Sequence, residues 1–234
     1  MYSLSQKLLS EFIGTFSVVL MTVGSICACQ YLRAAGLSNP GILGQALAYG
    51  FATAVMVSAL AHVSGAHFNP AITVGFWVTK RLGTLHSILY CIGQMAGAIA
   101  AAYILVALLP ESVWRPAALG ATDLAPDFTR MQGMLIEGLV TFFMVFVFFA
   151  TKSESSGTLG KAGGFAIGLA ITTGALFAQP FTGASMNPAR TFGPALAARH
   201  WINHGVYWVG PLLGGILAAG LYDRLFAEDQ SRLS

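Results

Sequence analysis

The tripeptide Asn-Pro-Ala occurs twice in this chain, at Asn69-Pro70-Ala71 and at Asn187-Pro188-Ala189, 118 residues apart. The lead-ins match as well: Ser64-Gly65-Ala66-His67-Phe68 precedes the first copy and Thr182-Gly183-Ala184-Ser185-Met186 the second. Asn followed by Pro is a helix start, because the Asn side chain caps free N–H groups and Pro fits the first turn. One copy would be an ordinary cap. Two copies, each closing an apolar half of the chain, demand a fold with internal symmetry.

The setting of both copies is apolar. Hydrophobic residues make up 56% of the chain and charged residues only 9%, against about 25% charged in soluble domains. Length is therefore counted in membrane spans of about 20 apolar residues. Runs of that kind lie at about 8–30, 41–62, 84–109, 131–150, 162–180 and 205–226. The Asn-Pro-Ala segments fall outside them, at about 69–78 and 187–197, and each is followed by only about ten helix-compatible residues, or about 15 Å. That is half the hydrocarbon core, so two half-helices meeting end to end can act as a seventh span.

The halves repeat beyond the tripeptide. Glu11-Phe12-Ile13-Gly14-Thr15-Phe16 answers Glu137-Gly138-Leu139-Val140-Thr141-Phe142, and Ala48-Tyr49-Gly50-Phe51-Ala52 answers Ala166-Ile167-Gly168-Leu169-Ala170. Gly93 and Gly97 answer Gly210 and Gly214, at a spacing that suits close helix contact. Three spans per half is an odd number, so the second half enters the membrane from the opposite face. The expected fold is an all-α integral membrane protein with six transmembrane helices and two re-entrant half-helices in an inverted repeat. A single domain covers 1–234, with repeat 1 at about 8–109, repeat 2 at about 131–226, and an external loop 110–130 between them.

Charge placement orients this scheme. With both termini cytoplasmic, the inner segments hold Lys7, Lys80, Arg81, Lys152, Lys161, Arg224 and Arg232, and the outer loops hold Arg33, Arg115, Arg130 and Arg199. That is a modest positive-inside bias, and it predicts a multi-pass protein of the cell membrane. No basic tract points to nucleic acid. Cys27, Cys29 and Cys91 form no Cys-x-x-Cys pair and read as buried thiols in apolar runs. His200 and His204 stand four apart, but no Glu follows His200, and they read as a loop or surface pair.

The signatures Ser-Gly-Ala-His-Phe-Asn-Pro-Ala and Asn-Pro-Ala-Arg resemble those of the aquaporin family, the major intrinsic proteins, and the likeness runs from Glu11 to about Phe226. It implies the aquaporin fold, a homotetramer with one pore per subunit, and no metal or organic cofactor. It also gives Asn69 and Asn187 a joint role. Two half-helices that meet near the midplane bring positive dipole ends together, and amide donors there orient a passing water so that it hands no proton along the file.

Arg190 follows the second tripeptide, whereas Ile72 holds the equivalent place after the first. An arginine at membrane depth costs about 2.5–3.5 kcal/mol on insertion scales and faces a wet cavity. The resemblance places Arg190 in an outer selectivity filter with Tyr49, Ala175 and Ala184. The family's strict water channels carry Phe, His and a small residue or Cys at the last three places, so Ala175 widens the opening and the Tyr49 hydroxyl is expected to fill part of the space. Thr191, Ala195, Tyr207 and Trp208 resemble the water-conducting rather than the glycerol-conducting members.

Glu11 and Glu137 are isolated carboxylates at equivalent places inside apolar spans. They can relay protons, as in pumps, or accept N–H bonds from the irregular loops, and two loops with two acids favour the second reading. His67 lies two residues before the first Asn, where the family often has His, and is expected to bond the loop or line an inner vestibule.

These features point to a passive channel for water and small neutral solutes that excludes protons and ions. The alternatives are a facilitator mainly for glycerol, urea, ammonia or hydrogen peroxide, and an ion-coupled secondary transporter. An enzyme is not expected: the chain carries no Gly-x-Ser-x-Gly and no His-Glu-x-x-His.

Overall fold

The computed structural model describes residues 2–153 and 158–226. Its long helices are α1 (Leu4–Ala34), α2 (Gly41–Ser64), α4 (Thr84–Leu108), α6 (Arg130–Ser153), α7 (Thr158–Thr182) and α9 (Val206–Leu225), and the half-helices are α3 (Pro70–Val78) and α8 (Pro188–Ala198). A short α5 (Glu111–Trp114) and a 3-10 turn (Ala118–Gly120) lie in the loop between the halves. Among the described residues there are no strands. Lys161's side chain and Arg232, both assigned to the inner face from the sequence, lie outside the described residues.

Five of these helices (α1, α2, α4, α6 and α7) are long and apolar enough to cross a membrane. The sixth expected span, α9, has 20 residues, about 30 Å of helix, but four glycines, Pro211, Tyr207, Trp208, Tyr222 and the charged Asp223 and Arg224 dilute it. The expected spans and half-helices coincide with observed helices. The main difference is in α1, which runs longer at both ends. Ser3 starts it with a capping box: Ser3 Oγ accepts from the Gln6 amide at 3.3 Å while Gln6 Oε1 accepts from the Ser3 amide at 2.8 Å.

The two halves interlock. In the first half α1 packs on α2 and α4, and in the second α6 packs on α7 and α9. The half-helices cross over: α3 packs chiefly against α9 of the other half, and α8 chiefly against α4. Close approach of this kind needs residues without bulk. A Cβ on Gly214 would lie 2.0 Å from the Gly138 carbonyl oxygen, and one on Gly50 would lie 1.9 Å from Thr172 Oγ1 and 2.4 Å from the Gly168 carbonyl. Gly97 is similarly tight, at 2.4 Å from the Phe12 carbonyl, while Gly93 is looser, at 3.4 Å from the Leu8 carbonyl. With lipid outside, such backbone-to-backbone packing replaces the hydrophobic drive that holds soluble bundles together.

The candidate pore

Each re-entrant loop leaves its long helix through the same backbone path. Gly65, Ala66 and Phe68 have φ of +94°, +56° and +52°, and Gly183, Ala184 and Met186 have +78°, +48° and +52°. Left-handed backbone suits glycine but costs about 1–2 kcal/mol at each residue with a Cβ, so Ala66, Phe68, Ala184 and Met186 must be held in place. Two buried carboxylates hold them. Glu11 Oε1 accepts from the His67 amide at 3.0 Å and Ser64 Oγ at 2.6 Å, while its Oε2 accepts from the Phe68 amide at 2.7 Å and Gln94 Nε2 at 2.8 Å. Glu137 repeats the pattern: Oε1 accepts from the Ser185 amide at 2.9 Å and Thr182 Oγ1 at 2.7 Å, and Oε2 from the Met186 amide at 2.8 Å. In both halves the acid thus binds the two amides directly before the Asn.

The asparagines then join the loops to each other. Asn69 Oδ1 caps α3 by accepting from the Ala71 amide at 2.8 Å, and Asn187 Oδ1 caps α8 through the amides of Ala189 at 2.9 Å and Arg190 at 3.3 Å. Asn69 Nδ2 donates to the Met186 carbonyl at 2.8 Å, and Asn187 Nδ2 donates to the Phe68 carbonyl at 3.0 Å. This refines the sequence-based expectation that the amides face the gap. A carboxamide has two N–H groups, and each Asn spends one on the opposite loop. The two half-helix N-termini are therefore cross-braced as well as adjacent.

Beyond this shared frame the halves diverge. In the first, His67 is buried, its Nδ1 lies 3.1 Å from Thr73 Oγ1, and its ring packs on Phe76, Tyr90 and Phe148. That packing ties His67 to the loop and its aromatic neighbours. Gln94 Nε2, also 2.9 Å from Thr73 Oγ1, links this group to Glu11. In the second half hydroxyls replace them: Ser185 Oγ bonds Thr191 Oγ1, which lies 3.0 Å from Thr122 Oγ1 on the loop between the halves.

Tyr49, Ala175 and Ala184 fall in one buried cluster with Met186 and Met144. The Tyr49 hydroxyl donates to the Ser185 carbonyl at 2.7 Å, so it braces the second loop beside Ala184. Arg190 is only 1% exposed, yet it lines a cavity of about 250 Å³ with Arg33, Gln45, Gly120, Gln179 and Gly183. Its Nη1 donates to the Gly120 carbonyl at 2.8 Å and its Nε has no protein partner. One end of the guanidinium is thus anchored to the loop between the halves, and the unpartnered Nε is itself buried.

The half-helix pair is thus joined by its asparagines, and Arg190 borders a cavity that Arg33 also lines. Residues 1–222 match the family model described as major intrinsic protein. The chain belongs to the major intrinsic protein family. The chain is 39% identical to aquaporin-4 of Mus musculus over 94% of this chain and 67% of that protein. It is 42% identical to aquaporin TIP4-4 of Zea mays over 94% of this chain and 86% of that one. The X-ray structure of the aquaglyceroporin from Plasmodium falciparum superposes with a TM-score of 0.85 at 18% identity, covering 99% of this chain and all of that one. Major intrinsic proteins are integral membrane channels for water and small solutes and are not enzymes.

Several bonding partners carried no sequence signal. Gly120 and Ser185 act through backbone carbonyls, which any residue supplies. Gln94, a lone amide within an apolar helix, was legible as an oddity, and so were the hydroxyls of Ser64 and Thr182 at equivalent places. The two histidines read as a loop pair have separate partners. His200 Nε2 lies 3.0 Å from Asp123 Oδ2, and His204 Nε2 accepts from Trp208 Nε1 at 3.0 Å.

Proposed function

We propose that this chain is a passive channel that conducts water, along with some other small neutral solutes, while excluding protons and ions. The observation that carries the reading is the cross-brace of Asn69 and Asn187 at the junction of α3 and α8, with Arg190 in the first turn of α8. With one N–H on the opposite loop, Asn187 keeps one for a passing water, and the second N–H of Asn69 lies against Met144 Sδ at 3.9 Å, a weak acceptor that water can replace. Oriented toward both amides and both helix N-termini, that water donates to neighbours on either side but relays no proton through itself. The same positive ends, with Arg190, repel cations.

The selectivity filter on this reading is Tyr49, Ala175, Ala184 and Arg190, and Glu11 and Glu137 are loop supports. The aquaporin relatives support water as a solute. Ala175, small and buried, leaves room for urea or glycerol as well. The protein works as one domain with repeats at about 8–109 and 131–226 and the loop 110–130 outside. Both termini face the cytoplasm at the cell membrane, in keeping with Lys7, Lys80, Arg81, Lys152 and Arg224 on that side.

A homotetramer fits the outer faces. An apolar groove between α1 and α2 includes Leu20, Met21, Phe51 and Val55, and a second between α6 and α7 includes Leu139, Phe143, Leu169 and Phe177. Two different faces on one subunit are what a closed ring with head-to-tail contacts requires.

Stopped-flow light scattering on proteoliposomes, with water, urea and glycerol run in parallel, tests the function. Water flux well above empty vesicles, linear in the osmotic gradient and indifferent to ion gradients, is expected. Saturating flux that depends on a Na⁺ or H⁺ gradient would replace the channel reading with a coupled transporter.

A further inference from the structure

Tyr49 on α2 and Ala175 on α7 form the inner wall of the outer constriction, and four residues further out on the same helices stand Gln45 and Gln179. Residues four apart share a helix face, and the step is about 6 Å along the axis. Gln179 Nε2 donates to Gln45 Oε1, which joins the two helices side chain to side chain. Both glutamines are partly exposed, and both line the cavity of about 250 Å³ that ends on Arg190. Below them α2 and α7 touch backbone to side chain at Gly50, Gly168 and Thr172. Thr172 Oγ1 also lies 3.4 Å from the Ala46 carbonyl, and beyond that contact the glutamine pair joins the two helices on the wall of the cavity.

We propose that Gln45 and Gln179 form an amide clasp across the outer mouth that sets which neutral solutes reach the filter. This rests on the channel reading. The bond uses a single N–H and a single carbonyl oxygen, and the remaining donors and acceptors stay available to water. Water, the smallest solute, passes beside the closed clasp while hydrogen-bonding to it. A polyol or urea is wider and must displace the bond, exchanging one amide–amide contact for contacts of its own. Such an exchange has a modest net cost, so the clasp acts as a size-graded filter and not as a seal. It narrows the opening on the side where Ala175 contributes no bulk, and it does so one turn outside Tyr49, whose hydroxyl is engaged with Ser185.

The test compares the full-length chain with Gln45→Ala, Gln179→Ala and Gln179→Met in proteoliposomes, measuring water, urea and glycerol flux in each. Methionine keeps the length and much of the volume of glutamine but cannot make the bond, so it separates the bond from bulk. In all three variants the glycerol-to-water ratio is expected to rise on the order of threefold or more, with urea rising less. An unchanged ratio in variants that still conduct water would overturn the clasp. So would a rise in the alanine variants that is absent in Gln179→Met, because bulk alone would then explain it. A wild-type chain that conducts neither water nor solute would read differently, overturning the channel reading and the clasp together.

Discussion

Glu11 holds the amides of His67 and Phe68, and Glu137 holds those of Ser185 and Met186, so the two Asn-Pro-Ala loops start from one design. Around that design the halves differ. The first loop is sealed by His67, Phe76, Tyr90 and Phe148, with Ile72 after the tripeptide. The second is threaded by the hydroxyls of Ser185, Thr191 and Thr122 and carries Arg190 beside a cavity. What repeats is the scaffold that holds irregular backbone at membrane depth, where each unmet polar group is costly. What does not repeat is the arginine after the tripeptide, with the carbonyl that anchors it and the cavity beside it.

The comparison breaks most readily at the carboxylates. Glu11→Gln and Glu137→Gln each turn an acceptor into an NH₂ group facing loop amides. Each is expected to cost about 3 kcal/mol or more and to cut the yield of folded protein, by similar amounts in the two halves. Thermal unfolding in detergent checks this. A Gln variant that folds normally but loses a pH-coupled flux would assign the acids to a proton relay instead.

Next in size are the residues after each tripeptide. Arg190→Ala removes the anchored guanidinium and should open the outer constriction, raising glycerol and urea flux on the order of tenfold relative to water. Ile72→Val, at the equivalent place, should cost about 0.5–1.5 kcal/mol of stability and leave the solute ratio alone. Parallel flux and unfolding measurements on the pair sharpen the asymmetry, and equal solute effects would erase it.

A smaller effect is expected at Tyr49. Tyr49→Phe leaves the Ser185 carbonyl without its donor, at a cost of about 0.5–1.5 kcal/mol, and should shift the water-to-glycerol ratio a few-fold by loosening the loop beside Ala184. Unchanged fluxes of both solutes would remove Tyr49 from the filter.

The smallest effect lies outside the membrane-spanning helices, in the segment between α8 and α9. Burial holds the His204 ring below its ordinary value, and its Nε2 accepts from Trp208 in the neutral form. A depressed pKa favours the neutral folded state, so this contribution is intact above the ordinary histidine value of about 6.5 and is lost as pH falls below it. Trp208 fluorescence should change on acidification in the wild type and stay flat in His204→Gln, which keeps an acceptor but cannot titrate.

Much of this was legible in the residues themselves. Spans announce themselves by apolar length, half-helices by Asn-Pro, and Glu11, Glu137 and Arg190 by being charges where charge is expensive. The reach of each group was not legible. The acceptor for Tyr49 is a backbone carbonyl 136 residues away, and carbonyls look alike in every sequence. Gln45 and Gln179 are uncharged and lie near helix ends, where an amide is unremarkable until its partner is seen. The short α5 and the turn at Ala118–Gly120 belong to a loop without apolar periodicity, yet that loop supplies the carbonyl that anchors Arg190.

The central claim is that two cross-braced half-helices pass water and stop protons. It is tested most directly by measuring both fluxes on the same vesicles, with light scattering for water and an entrapped pH-sensitive dye for protons under an imposed voltage. The account predicts water permeability well above that of empty liposomes with proton flux no higher than theirs, and a rise in proton flux when Asn69 and Asn187 are both replaced by Ala. Proton flux that rises together with water flux in the wild-type protein would contradict it.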